Sequence, residues 1–371
     1  MPSSATHRRR RLEPVAGAER RPALPYVARE CWIVAGIAVA IVVGILIAIG
    51  ANGPNGFYSH SDAPLFLHVA LSPFGNGHNF PGNPLVHGVE YRYGRILFPL
   101  TGWLLALGQP FAVKWTLAAV YVASFGAWVA LAGEHLRRGG RSPRLALWIF
   151  ATPWALLWFV IPDIVSEPMA GALLLLAYLY EREGRHKSAR ITAVFAILTR
   201  ELMIVAFIPL AWRAWKERRW AGVRDWVLVV MPYVAWTVWV RFRIGQFPFL
   251  DPSTSRREAL APPLVGWYRT MAGPLDNGQG WAVLIGAATF LLVVLVAFRG
   301  NWLYPVTHGA VALALLSLCY GLEVFAFPGE GIRVMAPTQM LLLIAACASG
   351  GVNTLTPASR VRTPRRAARA G

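Results

Sequence analysis

The chain has 371 residues, is 56% hydrophobic against a globular norm of about 45–50%, and carries 16 tryptophans with a mean hydropathy of +0.46. So apolar a composition excludes a single soluble domain. The net charge of +18 would suggest a nucleic-acid partner if it were spread over one face, but the basic residues flank apolar runs.

Residues 1–30 form a basic N-terminal tail with seven arginines, at positions 8–11, 20, 21 and 29. The apolar runs that follow are Cys31–Gly50, Phe111–Gly133, Leu145–Ile161, Ile164–Tyr180, Ile191–Trp212, Trp226–Val240, Trp281–Phe298, Leu303–Leu322 and Val334–Ser349. Most approach the roughly 17–25 residues that cross hydrocarbon as helix. Trp103, Trp115, Trp220, Trp226, Trp267, Trp281 and Trp302 fall at their edges, as interfacial aromatic belts do. The pattern predicts an all-α polytopic membrane protein with about eight to ten membrane helices, forming one domain over residues 31–349. Residues 350–371 make a second basic tail.

Segments 134–144, 181–190 and 213–225 hold four, four and five Lys or Arg. With Arg299 and the two tails these account for 26 of the 36 basic residues, a positive-inside distribution that puts both tails in the cytoplasm of a cell with an inner (plasma) membrane. No cleavable signal peptide is read, because the first apolar run begins near residue 31 without a small-residue cleavage site. Cys31, Cys319 and Cys347 lie in or beside spans, so no disulfide and no thiolate metal site is expected.

Simple alternation of spans conflicts with this sidedness at two places. Ile96–Gly108 is short and contains Pro99, and it reads as a helix lying on or dipping into the outer leaflet. Ile191–Trp212 has basic segments on both sides. Two readings stand for it: a re-entrant pair of half-helices with Thr199-Arg200-Glu201 at the tip, or one tilted span whose Arg200 and Glu201 pair with neighbours. In this topology two long outer loops, 51–95 and 245–280, collect polar chemistry on one membrane face. They are longer than the roughly 12–15 residues of an ordinary connection.

The charged residues on that face include Asp62, Glu90, Arg92, Arg95, Asp163, Glu167, Arg200, Glu201, Glu323, Glu330 and Arg333. Each also has a structural reading. Asp62 before Ala63-Pro64 suits a helix N-cap, Arg92 suits interfacial snorkelling, and Glu90 suits pairing with Arg92 or Arg95. Asp163 and Glu167 suit turn capping, and Arg200 with Glu201 suits an ion pair at a hairpin tip. His60, His68, His78 and His87 are spaced eight, ten and nine apart, which fits no compact metal motif. The sequence has no phosphate-binding P-loop, no dinucleotide-binding glycine turn and no Gly-x-Ser-x-Gly elbow.

In the first outer loop Asp62, the one acid there apart from Glu90, is followed by "YRYGRILFPLTGWLLALG", "DIVSEPMAGALLLLAYLYEREGR", "FAILTRELMIVAFIPLAW" and "GIRVMAPTQMLLL". Over roughly residues 31–349 this series resembles the polytopic glycosyltransferases of the GT-C class, and more closely small bacterial relatives of the mannosyltransferases of glycolipid-anchor synthesis. The resemblance implies a GT-C-like helix arrangement and a polyprenyl-phosphate monosaccharide donor used on the extracytoplasmic face, for cell-envelope glycan or glycolipid assembly. It implies Asp62 as the catalytic acid of the first loop, although relatives often read Asp-Gly-Gln-Phe-Tyr where this chain has Asp62-Ala63-Pro64-Leu65-Phe66.

The chemistry agrees with those roles. Transfer to a hydroxyl needs a carboxylate to take the acceptor's proton, and the departing phosphate needs fixed positive charge, which arginine supplies bidentately at any working pH. Arg95, Arg200 and Arg333 are the phosphate-binding candidates, with Glu90, Arg92, Asp163, Glu167 and Glu201 as supporting or acceptor-binding residues. The expected partners are a polyprenyl-phosphate sugar donor, membrane lipid and a glycan or glycolipid acceptor, and no nucleic acid. No cofactor is expected; a divalent metal is compatible with the chemistry but no residue pattern indicates one. The alternative is a transporter or flippase of lipid-linked sugars or small solutes, whose polar sites would sit mid-membrane on broken helices of two repeated halves.

The topology is testable without reference to function. Cysteines introduced at Ser142 and Ser188 are expected to react with a membrane-impermeant thiol reagent only when the cytoplasmic side is opened to it.

Overall fold

The computed structural model describes residues 26–50, 58, 62–75, 92–160, 164–245, 247–248, 260–273, 279–299, 304–321, 324–325 and 332–347. The described part is helical. Its only bridge outside helices is a single antiparallel one between Leu260 and Tyr320, among the described residues. The helices are α1 (Arg29–Gly50), α2 (Ala63–Leu71), α3 (Leu97–Leu105), α4 (Pro110–Arg138), α5 (Pro153–Val160), α6 (Glu167–Arg182) and α7 (His186–Thr199). There follow α8 (Met203–Lys216), α9 (Trp220–Leu228), α10 (Met231–Ile244), α11 (Val265–Ala272), α12 (Gln279–Phe298), α13 (Val306–Ser317) and α14 (Ala336–Cys347).

Among the described residues, four helical stretches are long and apolar enough to cross a membrane: Arg29–Ala48, Pro110–Arg138, Trp220–Arg243 and Gly280–Phe298. Two shorter apolar helices are Val306–Ser317 and Ala336–Cys347. The protein is therefore a multi-pass membrane protein. Two of the apolar runs are broken into shorter helices: Leu145–Ile161, expected as one span, and Ile191–Trp212, for which the sequence leaves open a pair of half-helices or one tilted span. Leu145–Ile161 is divided between a 3₁₀ segment, Pro143–Ala151, and α5, with Thr152 extended before Pro153. A proline at that position has no N–H to continue the hydrogen-bond ladder. Ile191–Trp212 breaks at Arg200, whose backbone is extended (φ −157°, ψ 117°), and Met203 begins the next helix. The expected short helix in Ile96–Gly108 is α3, which ends in a reversal where Leu107 and Gly108 both have positive φ.

Packing centres on α4. It lies against α1, α3, α6 and the 3₁₀ segment. Along α1, Val34, Ala38 and Val42 are buried while Ile33, Ile37 and Ile41 are exposed. Small side chains therefore face the bundle and large aliphatic ones face outward, which is stable where the surroundings are as apolar as leucine. Halfway along α4, Trp128 packs edge-on to Trp154 and Phe125 and presses its indole on α6 at Gly171. A Cβ built on Gly171 would stand 2.4 Å from that ring. Glycine here sets the distance between the two helices.

The α6–α7 hairpin turns at Gly184, in the left-handed region at φ 70° where glycine costs nothing, with the Arg185 N–H donating to the Tyr180 carbonyl at 2.9 Å. At that same end, the buried Glu134 carboxylate accepts from Arg137 and Arg138 and from the Ala28 N–H. Arg138 also donates to Glu183. These bonds tie the start of α1 and the ends of α4 and α6 into one polar knot. The ends of α7 and α8 that meet at Arg200 lie at the opposite end of α6, because Arg200 pairs with Glu167, the first residue of that helix.

Replacing Gly171 by leucine is expected to force α4 and α6 apart. The loss is at least about 1–3 kcal/mol, read as a lower melting temperature and loss of the monodisperse peak of detergent-solubilised protein on size exclusion.

Candidate functional site

Five helix ends or turns bring charged residues to one place. Asp62 precedes α2, Arg92 and Arg95 lie in the turn entering α3, and Glu167 opens α6. Arg200 and Glu201 occupy the break between α7 and α8, and Arg333 precedes α14. Helix ends are where backbone and side-chain polarity can be gathered without interrupting an apolar span, which is why the sequence keeps its charges there.

Asp62 is the hub. Its Oδ1 accepts from Arg92 and its Oδ2 from Arg333 Nη2 at 2.6 Å, with Arg95 Nη1 3.9 Å away. Although Asp62 stands at the N-cap position of α2, its side chain makes no capping bond. The capping reading of Asp62 is thereby replaced: the carboxylate serves the arginines. Arg333 also reaches a second acid, its Nε lying 3.2 Å from Glu167 Oε1, the same oxygen to which Arg200 is paired. Arg95 grips Glu201 with two hydrogen bonds, Nε–Oε2 at 3.0 Å and Nη2–Oε1 at 2.9 Å.

Arg200 and Glu201 therefore do not pair with one another but with residues on other elements, and Glu167 is an ion-pair partner rather than a turn cap. Arg92, read on sequence as able to snorkel, is buried to 2% exposure, beside Asp62 and over the Phe66 ring at 5.9 Å. Asp62 and Arg95 are likewise 2% exposed, Glu167 and Arg200 are wholly enclosed, and Arg333 is 7% exposed. Glu90, Asp163, Glu323 and Glu330 lie outside the described residues, as do His60, His78 and His87. Among the described residues no three His, Cys, Asp or Glu side chains are grouped as metal ligands.

Four residues that sequence reasoning passed over complete the site: Tyr93, Trp236, Trp239 and Ser166. Tyr93, between the two arginines, donates its hydroxyl to the Ser72 carbonyl at 2.8 Å and accepts at its own carbonyl from the Trp236 indole N–H at 2.6 Å. Those two bonds fix the turn that aims Arg92 and Arg95. Trp236 and Trp239 stack at 4.6 Å and, with Leu65, Val69, Ile96 and Val240, form a small apolar cluster beside the charges. Ser166 sits at the N-cap of α6, fully buried, yet its hydroxyl makes no capping bond. The one signal available was the alternation of charge with aromatic residues in "YRYGR", which marks a turn held from both sides.

Burying this many charges is costly, and buried ion pairs are often no more stabilising than apolar residues of the same volume. Removing one partner is different, because it leaves the other charge uncompensated. The electrostatics at Asp62 follow the same balance. Burial raises the proton affinity of the carboxyl, but Arg333, Arg92 and Arg95 outweigh it and hold the group well below its ordinary value of 3.8.

Comparison of the chain with protein-family models, with curated proteins and with solved structures gave no match. The buried charge cluster and the multi-pass helical architecture are what the molecule itself offers.

Because the folded-state value of Asp62 is depressed, its contribution to stability is complete above pH 3.8 and declines as the pH falls below it. Asp62→Asn is expected to cost about 3–5 kcal/mol near neutrality. The gap in melting temperature between wild type and Asp62→Asn should narrow as the buffer is taken below that pH.

Proposed function

We propose that this protein is a membrane glycosyltransferase of the GT-C kind, moving a monosaccharide from a polyprenyl phosphate to a hydroxyl acceptor at the extracytoplasmic face of the membrane. The reading assigns the basic segments to the cytoplasm and the cluster of helix ends to the other side. One observation carries it: a buried carboxylate, released from capping, is held among three arginines from two elements far apart in the chain. A site that must bind an anion and then take a proton needs both kinds of group in contact.

In this reading the donor's phosphodiester enters between Arg95 and Arg333, with Arg92 at the edge; Arg200, expected beside them, is taken up by Glu167. Arginine's planar fork suits phosphate oxygens, and several guanidinium groups stabilise the charge that grows on phosphate as its bond to the sugar breaks. The apolar cluster of Leu65, Ile96, Trp236 and Trp239 beside the arginines offers the prenyl chain a surface. The acceptor oxygen forms the new bond to the anomeric carbon while the old carbon–oxygen bond breaks, its electron pair passing to the phosphate. The acceptor's proton passes to Asp62, and the sugar configuration inverts.

The resting pairing makes Asp62 a weak base, since its arginines hold its proton affinity down. Phosphate draws the same guanidinium groups toward itself, and every hydrogen bond that Asp62 loses raises its affinity for a proton. Donor binding thus prepares the base. A flippase would use the same arginines to hold a lipid phosphate without needing this coupling to a carboxylate.

Purified protein in lipid nanodiscs, given polyprenyl-phosphate sugars and glycan acceptors, is expected to transfer sugar. Asp62→Asn should lower the rate about 10²–10⁴-fold, and Arg333→Lys, which keeps charge but loses the fork, should lower it as well. Asp62→Asn protein that elutes as a folded species and transfers at the wild-type rate would overturn the assignment. Lipid translocation without transfer would favour the flippase.

A further inference from the structure

Four buried polar atoms on three neighbouring residues have no hydrogen-bond partner among the described residues: Ser166 Oγ, Glu167 Oε2, and Arg200 Nε and Nη2. They are close together, because Ser166 and Glu167 are consecutive and Arg200 Nη1 is paired with Glu167 Oε1. All three residues are fully enclosed. A buried donor or acceptor left unmade costs about 1–3 kcal/mol, and native proteins seldom leave several side by side. The N-cap serine sharpens the point, since a hydroxyl at that position ordinarily bonds its own helix and this one does not.

The chemistry of the four atoms narrows what would satisfy them. Glu167 Oε2, with its partner oxygen in ion pairs, requires a donor. The two Arg200 nitrogens require acceptors, and the serine hydroxyl serves as either. A phosphate would satisfy Arg200 but would stand against the open Glu167 oxygen, carboxylate to phosphate. A hydroxyl meets both demands at once, giving its proton to Glu167 and its oxygen to Arg200.

We infer that Ser166, Glu167 and Arg200 form a subsite for the hydroxyl groups of a sugar ring. The inference rests on the glycosyl-transfer reading above and deepens it, by separating sugar recognition from phosphate binding. Arg333 joins the two, touching Asp62 with Nη2 and Glu167 with Nε, so the sugar held at Glu167 is the one next to the phosphate. Glu167 and Ser166 then act as specificity-determining residues: an epimer that turns one hydroxyl away leaves a buried carboxylate oxygen or guanidinium unpaired, which is how polar sites reject close analogues.

Affinity measured in nanodiscs tests this without requiring turnover. The probes are polyprenyl phosphate alone, the same lipid carrying mannose, glucose or galactose, and octyl mannoside, which has a sugar but no phosphate. In wild type at least one sugar is expected to tighten binding about tenfold over the bare lipid. In Ser166→Ala and Glu167→Gln that ratio should fall below about twofold. Ser166→Ala alone decides the matter if Glu167→Gln does not fold.

A sugar increment that survives undiminished in Ser166→Ala and in any folded Glu167→Gln, or no increment for any sugar although the bare lipid binds, would overturn the subsite and leave the four atoms to buried water. Octyl mannoside binding that depends on Ser166 and Glu167 would support the subsite but give it to the acceptor's sugar. Failure of the bare lipid to bind would instead overturn the glycosyl-transfer reading, and the subsite with it.

Discussion

The contact on which the site depends is the one between the Asp62 carboxylate and the guanidinium groups of Arg92 and Arg333. It joins the N-terminus of α2, the turn before α3 and the segment before α14, which are 30 and 271 residues away from Asp62 along the chain. None of the three charges has water to fall back on. Each is tolerated because the others are present, and the remaining pairs extend the same dependence: Arg333 to Glu167, Glu167 to Arg200, and Arg95 to Glu201.

Around that contact the fold separates two kinds of task. The helix interiors are apolar and packed closely enough that Gly171 is the only residue type that fits beneath Trp128. The helix ends carry the charges, in two knots at opposite ends of α6. The knot at Glu134 binds its carboxylate to a backbone N–H as well as to neighbouring arginines on its own helix. It fastens chain to chain. The knot at Asp62 draws its arginines from separate elements and leaves polar atoms at Ser166, Glu167 and Arg200 without partners among the described residues.

Much of this was legible in the chain. The all-helical, multi-pass character follows from apolar run lengths and from basic residues confined between them, because hydrocarbon admits few other solutions. The gathering of Asp62, Arg95, Arg200 and Arg333 was expected from the sidedness of the basic segments, which assigns all four to one membrane face. Less legible was how the apolar runs are cut. Leu145–Ile161 looks continuous in hydropathy, which is insensitive to the single proline at 153, whereas in Ile191–Trp212 the charges of Arg200 and Glu201 mark the point where the run divides.

The sequence by itself determined which residue types stand at the helix ends, since a charge within an apolar span is too costly to keep without purpose. Only the tertiary structure decided who pairs with whom. Asp62 could have capped α2, and Arg200 and Glu201 could have paired with each other, because local geometry permits both. Those choices are set by helices distant in sequence whose ends pack against one another: a guanidinium brought beside a buried carboxylate outcompetes a neutral backbone N–H for it, since the attraction between full charges grows as water is excluded.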